Sequence, residues 1–368
     1  MRAFFCHQCH QQLVFFDNSR CVHCGASLGF ALDRNDVVAL RDLGQGRFAS
    51  VGPATSLPGH HPDVYRRCAN EQLAGCNWLV PEAENTTTVL CASCRLTRTR
   101  PNDNDATGLA AFAKAEGAKR QLLFQLAVLG LPVVSRHDDP KRGLAFDLLT
   151  SDVDSVVIGH AGGVITLNLA ESNDAYRERT RQHLGEAYRT LLGHFRHEIG
   201  HYFWDALIAD GPRLAEFRSR FGDERHEYGA AIERHYDDEE GPLSGWEQHY
   251  VSAYATMHPW EDWAETFAHY LHIRDTLQTA EEFGLILIGP KEEGERRIPE
   301  LATPHHGHPT EPDPFHQIIA EWLPLTYALN AMNRSMGKPD LYPFVLATAV
   351  IGKLGFIHSI VAEVGTAR

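Results

Sequence analysis

The stretch that decides the fold is Leu191-Leu192-Gly193-His194-Phe195-Arg196-His197-Glu198-Ile199-Gly200-His201-Tyr202-Phe203-Trp204, in a chain of 368 residues. Its apolar residues recur at helical spacing, and no proline occurs across 186–208, which predicts a helix. His197 and His201 lie four residues apart, so both imidazoles project from one helix face and can share a metal ion. Glu198 lies where it can reach a water on that metal. The pattern His-Glu-x-x-His therefore predicts a zinc hydrolase, in which metal acidifies water and the carboxylate takes the proton.

The alternative interpretation of this stretch is a buried helix whose histidines form hydrogen bonds inside the core, because a five-residue pattern also occurs by chance. A hydrolase further requires a third protein ligand and an open fourth position on the zinc. Position 207 is Leu, so the histidine that completes the extended metzincin pattern is absent. A carboxylate from a later helix is the remaining choice.

The sequence from His258 to His272 supplies that carboxylate. It contains two glutamates that share a helix face at i, i+4. A carboxylate that faces a core is costly unless it is paired or metal-bound, so Glu265, between Ala264 and Ala268, is predicted as the third ligand. Glu261 and Asp262, one turn nearer the helix start, are predicted to orient a ligand histidine. Alternatively, these acids only stabilise the first helical turn through their charge.

All eight cysteines fall in the first 94 residues. Two Cys-x-x-Cys pairs separated by eleven residues predict a closed four-thiolate zinc site, that is, a zinc ribbon. Its predicted ligands are Cys6, Cys9, Cys21 and Cys24. A second four-cysteine zinc site is predicted from Cys68, Cys76, Cys91 and Cys94, where one Cys-x-x-Cys pair is present.

Alternatives to these two quartets stay open at this level. The quartets could exchange pairs, and His7, His10 or His23 could replace a thiolate. Disulfides are disfavoured, because the chain begins without a secretory pattern and cytosolic thiols stay reduced. We therefore expect two structural zinc ions, which supply folding energy to a segment poor in apolar core.

The charge of the chain is unevenly distributed. The net charge is −14, made up of +2 over residues 1–100 and −16 over the remainder. An acidic body disfavours a broad nucleic-acid surface, since phosphate binding depends on Lys and Arg. The most apolar stretch, 341–364, is interrupted by Lys353, His358 and Pro343, so a buried helix pair is favoured over a membrane span. We expect a cytoplasmic protein without membrane contact.

A polar break at 100–105, which contains Pro101, predicts a boundary between domains at 1–100 and 105–368. Helical periodicity over 108–129 is followed by strand patterns at 144–149 and 156–169. A hairpin is predicted with its turn at His160-Ala161-Gly162-Gly163, between strands at 155–158 and 164–167. One long helix is predicted over 174–207, helices over 210–276, and two or three more over 314–364. The order of strands followed by a metal-bearing helix is that of the N-terminal half of a zincin. We therefore predict an α+β fold, with zinc-ribbon modules before a mostly helical zincin-like domain that has a small sheet.

The segments 193–202 and 252–272, together with the first four cysteines, resemble the bacterial zinc-binding metallopeptidases that carry an N-terminal zinc ribbon. The resemblance spans nearly the whole chain. It implies a gluzincin-like site of His197, His201 and a downstream glutamate. In lethal-factor-type gluzincins a tyrosine seven residues before the ligand glutamate helps to stabilise the oxyanion. Here that position is His258, so the resemblance assigns this role to His258 or to Tyr254.

The favoured function is thus a zinc-dependent peptide hydrolase with Glu198 as general base, one catalytic zinc and two structural zinc ions. Its partners would be a peptide or protein substrate, paired as an added strand along the hairpin at 156–169, and a protein that docks on the ribbon. The rival is a zinc-stabilised binding or regulatory protein, whose ribbon contacts protein or nucleic acid and whose His-Glu-x-x-His domain is a sensor or a vestige. Iron also suits two histidines and a carboxylate, although the motif favours zinc.

Overall fold

The computed structural model describes residues 2–52, 63–82, 89–150, 159–183, 186–187, 189–235, 244–287 and 314–366. The chain folds into two compact units, Met1–Glu178 and Arg179–Arg368. The first unit contains most of the strands and all eight cysteines, and the second is built from helices. The mixed α+β architecture predicted from the sequence is confirmed, with a cysteine-rich N-terminal region followed by a helical body and small sheets.

The first unit contains three sheets. A two-stranded sheet pairs β1 (Phe4–Phe5) with β2 (Leu13–Val14). An antiparallel five-stranded sheet follows in sequence order, with β3 (Ser27–Ala31), β4 (Asp36–Gly44), β5 (Arg47–Val51), β6 (Val64–Arg67) and β7 (Leu79–Pro81). A short helix, α1 (Glu71–Ala74), lies between β6 and β7 in the chain. This five-stranded sheet was not predicted from the sequence. Its last strand, β7, lies between Cys76 and Cys91 of the second cysteine quartet in the chain.

The third sheet follows the second cysteine quartet. Its order is β10 (Gly159–Ala161), β11 (Val164–Asn168), β9 (Ala145–Leu149) and β8 (Thr97–Thr99), and only the β10–β11 pair is antiparallel. The β10–β11 pair forms a hairpin with positive φ at Gly162 and Gly163. Its turn is shorter than predicted, since His160 and Ala161 pair with β11 as strand residues. The first predicted strand of the hairpin, 155–158, lies outside the described part of the chain. Between β8 and β9 runs α2 (Ala106–Val128), whose N-cap Asp105 accepts a hydrogen bond from the Gly108 amide at 2.8 Å.

An aromatic cluster joins α2 to the ribbon region. The ring of Phe124 on α2 lies 4.8 Å from Phe16, 5.5 Å from Phe30 and 6.1 Å from Phe4, measured between centroids. Phe124 is 2% exposed, so almost all of its surface is covered. The N-terminal 52 residues and α2 therefore share one hydrophobic core.

The second unit is helical. After α3 (Asp174–His183), which begins in the first unit, its helices are α4 (Leu191–Leu207), α5 (Leu214–Phe221), α6 (Tyr228–His235), α7 (Pro259–Glu282), α8 (Pro314–Ser335) and α9 (Thr348–Thr366). The single helix predicted over 174–207 is wrong, since α3 and α4 are separate helices. Thr190 explains why α4 begins at Leu191. It is the N-cap residue, and its hydroxyl accepts a hydrogen bond from the Gly193 amide at 2.9 Å. The predicted loop at 301–313 lies outside the described residues.

The helices α4 and α7 pack closely at Gly200. The indole Nε1 of Trp263 donates to the Gly200 carbonyl oxygen at 2.8 Å, and both groups are buried. Further along, the Arg196 guanidinium lies 2.6 Å from the Asp275 carboxylate. These contacts fix the register and the separation of the two helices.

Within the described residues, α9 is the one helix whose length and composition would allow it to cross a membrane, and 39% of the tested window is buried inside the structure. A core helix of this composition passes the same test, so the finding is weak evidence for a membrane span. Lys353 of α9 lies 2.5 Å from the buried Asp262 carboxylate of α7. Burial raises the pKa of Asp262 to about 7, although the Lys353 charge opposes this shift.

We predict that Phe124→Ala destabilises the first unit by about 3–5 kcal/mol, because it removes a fully packed aromatic ring from the core. Urea unfolding followed by circular dichroism measures the change. Phe5→Ala is the matched control, since Phe5 is 55% exposed and its loss should change the free energy by at most about 0.5 kcal/mol. Equal effects of the two substitutions would contradict the shared core.

We predict that Gly200→Ala destabilises the second unit by about 1–3 kcal/mol, because the added Cβ meets backbone that cannot rotate away. That Cβ would lie 3.0 Å from the Ala264 Cα and 3.2 Å from its carbonyl oxygen. Gly352→Ala on α9 is the control, since its nearest neighbour would be an arginine nitrogen at 3.8 Å. The control should be stabilising by about 0.5–1 kcal/mol, through helix propensity. Thermal unfolding in which both variants gain stability would contradict the close approach.

Candidate metal centres

Three donor atoms from α4 and α7 converge at the His-Glu-x-x-His stretch. The Glu261 Oε2 lies 3.0 Å from His197 Nε2 and 3.4 Å from His201 Nε2, and the two histidine nitrogens are 3.2 Å apart. The side chains are 2%, 13% and 4% exposed for Glu261, His197 and His201. Two imidazoles and one carboxylate thus form a set that could hold a metal ion.

The two glutamates of α7 have the reverse of the contacts predicted from the sequence: Glu261 faces both histidine Nε2 atoms, and Glu265 binds the Nδ1 of His197. Glu265, the predicted third ligand, lies behind His197, where its Oε1 accepts a hydrogen bond from Nδ1 at 2.7 Å. The Ser252 hydroxyl donates to the other oxygen of Glu265 at 2.6 Å. Both of its oxygens are therefore satisfied away from the converging donors. The physical reason is the crossing of α4 and α7, which places the first turn of α7, with Glu261, opposite the two Nε2 atoms.

The residues present fit a zinc ion. The Glu261 Oε2 is buried and has no hydrogen-bond partner of suitable angle among the described residues, although it faces two histidine nitrogens. Such an atom is costly unless something binds it. The Tyr228 hydroxyl donates to the other oxygen, Oε1, at 2.7 Å. Glu261 is thereby held with one oxygen directed at the histidines, in a donor set typical of zinc hydrolases.

Glu198 lies beside this cluster with its two oxygens in different surroundings. Its Oε1 is 3.3 Å from His194 Nε2, whereas its Oε2 is buried and has no hydrogen-bond partner in the described part of the chain. Burial raises the pKa of Glu198, but the His194 contact and the charge of His197 outweigh burial, so the net shift is downward. Glu198 is therefore an ionised carboxylate, as a general base must be.

Of the two residues expected to stabilise the oxyanion, only Tyr254 lies against a ligand histidine. Its ring centroid is 5.8 Å from that of His197. His258 is instead the N-cap of α7, where Nδ1 accepts from the Trp260 amide at 3.1 Å and Nε2 donates to the His226 carbonyl at 3.2 Å. Burial lowers the pKa of His258, consistent with a neutral ring in which both nitrogens bind backbone.

Several residues around the centre have contacts that were not predicted from the sequence. Asp262, expected to orient a ligand histidine, is paired with Lys353. Tyr228 was not anticipated, because it lies 33 residues from Glu261 and no spacing pattern marks it. His194 could have been found, since its i, i+4 spacing to Glu198 places both residues on one helix face.

The first cysteine quartet, Cys6, Cys9, Cys21 and Cys24, forms one cluster of sulfur atoms. The sulfurs of Cys6 and Cys24 are 3.7 Å apart, and those of Cys9 and Cys21 are 3.9 Å apart. Backbone N–H groups, first that of Cys24, lower the pKa of the Cys21 thiol to about 7, which favours the thiolate that binds metal. His7 is directed elsewhere and pairs with Asp36 at 3.1 Å.

The second quartet, Cys68, Cys76, Cys91 and Cys94, forms a separate cluster in which all four residues are buried. The sulfur of Cys76 lies 3.6 Å from those of Cys91 and Cys94. The two quartets do not exchange members in this structure. The Cys94 sulfur also lies 3.6 Å from the Glu116 carboxylate, which pairs with Lys119 at 2.6 Å in a fully buried ion pair. The helix α2 therefore covers the second quartet.

Two family models match the parts of the chain that contain these candidate centres. Residues 108–360 match the model of a family described as "Putative zinc-binding metallo-peptidase", and residues 3–105 match that of a zinc-ribbon domain. An uncharacterized protein of Mycobacterium bovis and two from strains of Mycobacterium tuberculosis are each 49% identical over 368 residues, covering 99% of this chain and 96% of the relative. No solved structure matches the chain.

These matches agree with the donor sets described above. The metallopeptidase model includes both α4 and α7, and the ribbon model includes both cysteine quartets. Zinc binding follows from the two families together with the clusters of thiols, imidazoles and a carboxylate. The division of the chain at 1–100 and 105–368 stays a prediction. The chain belongs to the family described as "Putative zinc-binding metallo-peptidase" and carries an N-terminal zinc-ribbon domain.

Proposed function

We propose that this chain is a zinc-dependent peptide hydrolase whose catalytic ion is held by His197, His201 and Glu261. The observation that carries the proposal is the convergence of their three donor atoms beside Glu198, whose Oε2 has no hydrogen-bond partner among the described residues. If His197 and His201 were only core residues, nothing would offset the cost of burying Glu261 Oε2 next to their rings without a hydrogen bond among the described residues. A metal ion accounts for that oxygen.

When bound, zinc lowers the pKa of a water molecule towards neutrality and polarises the scissile carbonyl group. Glu198 takes the proton of the attacking water on Oε2 and then gives it to the leaving amine nitrogen. Glu265 accepts a hydrogen bond from the Nδ1–H of His197, which fixes the tautomer with the Nε2 lone pair directed at the centre. Ser252 holds Glu265 in place through its second oxygen.

We assign stabilisation of the oxyanion to Tyr254 rather than to His258. The support is that both ring nitrogens of His258 already form hydrogen bonds with backbone groups near the start of α7. The Tyr254 ring lies 5.8 Å from the His197 ring, and we propose that its hydroxyl donates to the negative oxygen that develops in the transition state. Tyr228 holds the Glu261 carboxylate and has a positioning role in this proposal.

We propose three zinc ions per chain, one catalytic and two structural. Four thiolates close the coordination shell of each structural site, which leaves no position for water. We propose that the substrate is a peptide or protein. The ribbon is proposed to dock a protein partner, and reduced thiols favour a cytoplasmic location without membrane contact.

We predict that Glu198→Gln retains all three zinc ions and lowers peptide hydrolysis by about 10²–10⁴-fold, because the amide cannot accept the proton. Mass spectrometry of an unbiased peptide library measures hydrolysis, and elemental analysis counts zinc. Glu247→Gln is the control, since Glu247 is an exposed glutamate of the same unit. Full activity of Glu198→Gln would overturn its assignment as the base.

We predict that the two glutamates of α7 respond differently to the same substitution. Glu261→Gln loses one of three zinc ions, because it removes a ligand. Glu265→Gln keeps that ion with about 10–100-fold weaker affinity, because it removes only the partner of His197. Zinc titration with a competing chelator distinguishes the two variants. The reverse result would restore Glu265 as the ligand, and two zinc ions in the wild type would favour the binding or regulatory protein.

A further inference from the structure

His194 lies on the same face of α4 as the base Glu198, one turn earlier. Its Nε2 is 3.3 Å from Glu198 Oε1, and the side chains of His194 and Glu198 are only 14% and 6% exposed. Solvent therefore competes weakly for this contact, and the short i, i+4 connection along one helix keeps the two groups together.

The His194 ring has a polar contact with Glu198 through Nε2. Its other nitrogen, Nδ1, is buried and has no hydrogen-bond partner in the part of the chain that the structure describes. His194 also lies outside the set of donor atoms that converge with His197. A role as metal ligand is thereby disfavoured, and the contact with Glu198 is what distinguishes this ring from an apolar one.

The two oxygens of Glu198 are made unequal by this contact. Oε1 faces the imidazole, while Oε2 is buried and without a hydrogen bond among the described residues. A carboxylate that is free on both sides rotates about its last torsion angle, which is broad and two-fold. A proton on His194 Nε2, which lies 3.3 Å from Oε1, would restrict that rotation and keep Oε2 available for the proton of the attacking water.

We propose that His194 is a positioning residue, which holds Glu198 through Oε1 so that Oε2 acts as the base. This inference rests on the proposed function of the site. Loss of the N–H leaves the metal ligands in place and misdirects the base, so the expected effect is a fall in kcat of about 10–100-fold with KM nearly unchanged.

The test compares His194→Gln, His194→Asn and His194→Phe in the full-length, zinc-loaded protein. The amide nitrogen of Gln reaches about as far from the helix as the histidine Nε2, whereas that of Asn corresponds to Nδ1. The substrate is a peptide that the wild type cleaves in the library and that Glu198→Gln does not. The zinc content and both kinetic constants are measured for each variant.

The expected result is three zinc ions in every variant, a 10–100-fold lower kcat for Asn and Phe, and recovery with Gln. Wild-type kcat in His194→Phe would overturn the proposal, as would a Gln variant no better than Phe, because ring packing alone would then be responsible. Loss of a zinc ion from His194→Phe would also overturn it. An active Glu198→Gln would instead defeat the proposed function, which separates the two failures.

Discussion

The candidate catalytic centre depends on the close approach of α4 and α7 at Gly200. A Cβ at this position would contact the Ala264 backbone at 3.0 Å, so no larger residue fits without moving a helix. The Trp263 indole locks the approach by donating to the Gly200 carbonyl oxygen at 2.8 Å. Because His197 and His201, the candidate ligands, lie on either side of Gly200 in the sequence, this separation brings Glu261 within 3.0 Å of His197 and 3.4 Å of His201. A shift of one ångström would disperse the donor set.

The three acids at the start of α7 have three different partners. Glu261 faces the histidines, Glu265 lies behind His197, and Asp262 pairs with Lys353 of α9. A buried carboxylate is costly without a compensating partner, so each of these contacts stabilises one orientation of the helix about its axis. The same rotation that gives Asp262 its lysine directs Glu261 towards the metal ligands. The packing that pairs Asp262 with Lys353 therefore also assembles the candidate donor set.

Sequence patterns predicted the motif helix and the two cysteine quartets, because spacing alone determines which of these residues share a face or a knuckle. The choice between Glu261 and Glu265 could not be made in this way, since residues at i and i+4 share a face and the crossing of two helices selects between them. Tyr228 was unpredictable for a related reason, as α6 and α7 meet through tertiary packing alone. The five-stranded sheet has a sequence signal in the apolar run Val37–Leu40, which is followed by the glycine-flanked turn Gly44-Gln45-Gly46.

The most direct measurement of the central claim is a crystal structure of the zinc-loaded chain with anomalous diffraction recorded on both sides of the zinc absorption edge. The account predicts three anomalous peaks, two within the cysteine quartets and one bound by His197, His201 and Glu261, with the remaining coordination position open to solvent. Absence of the third peak, or a peak coordinated by Glu265 in place of Glu261, would contradict it.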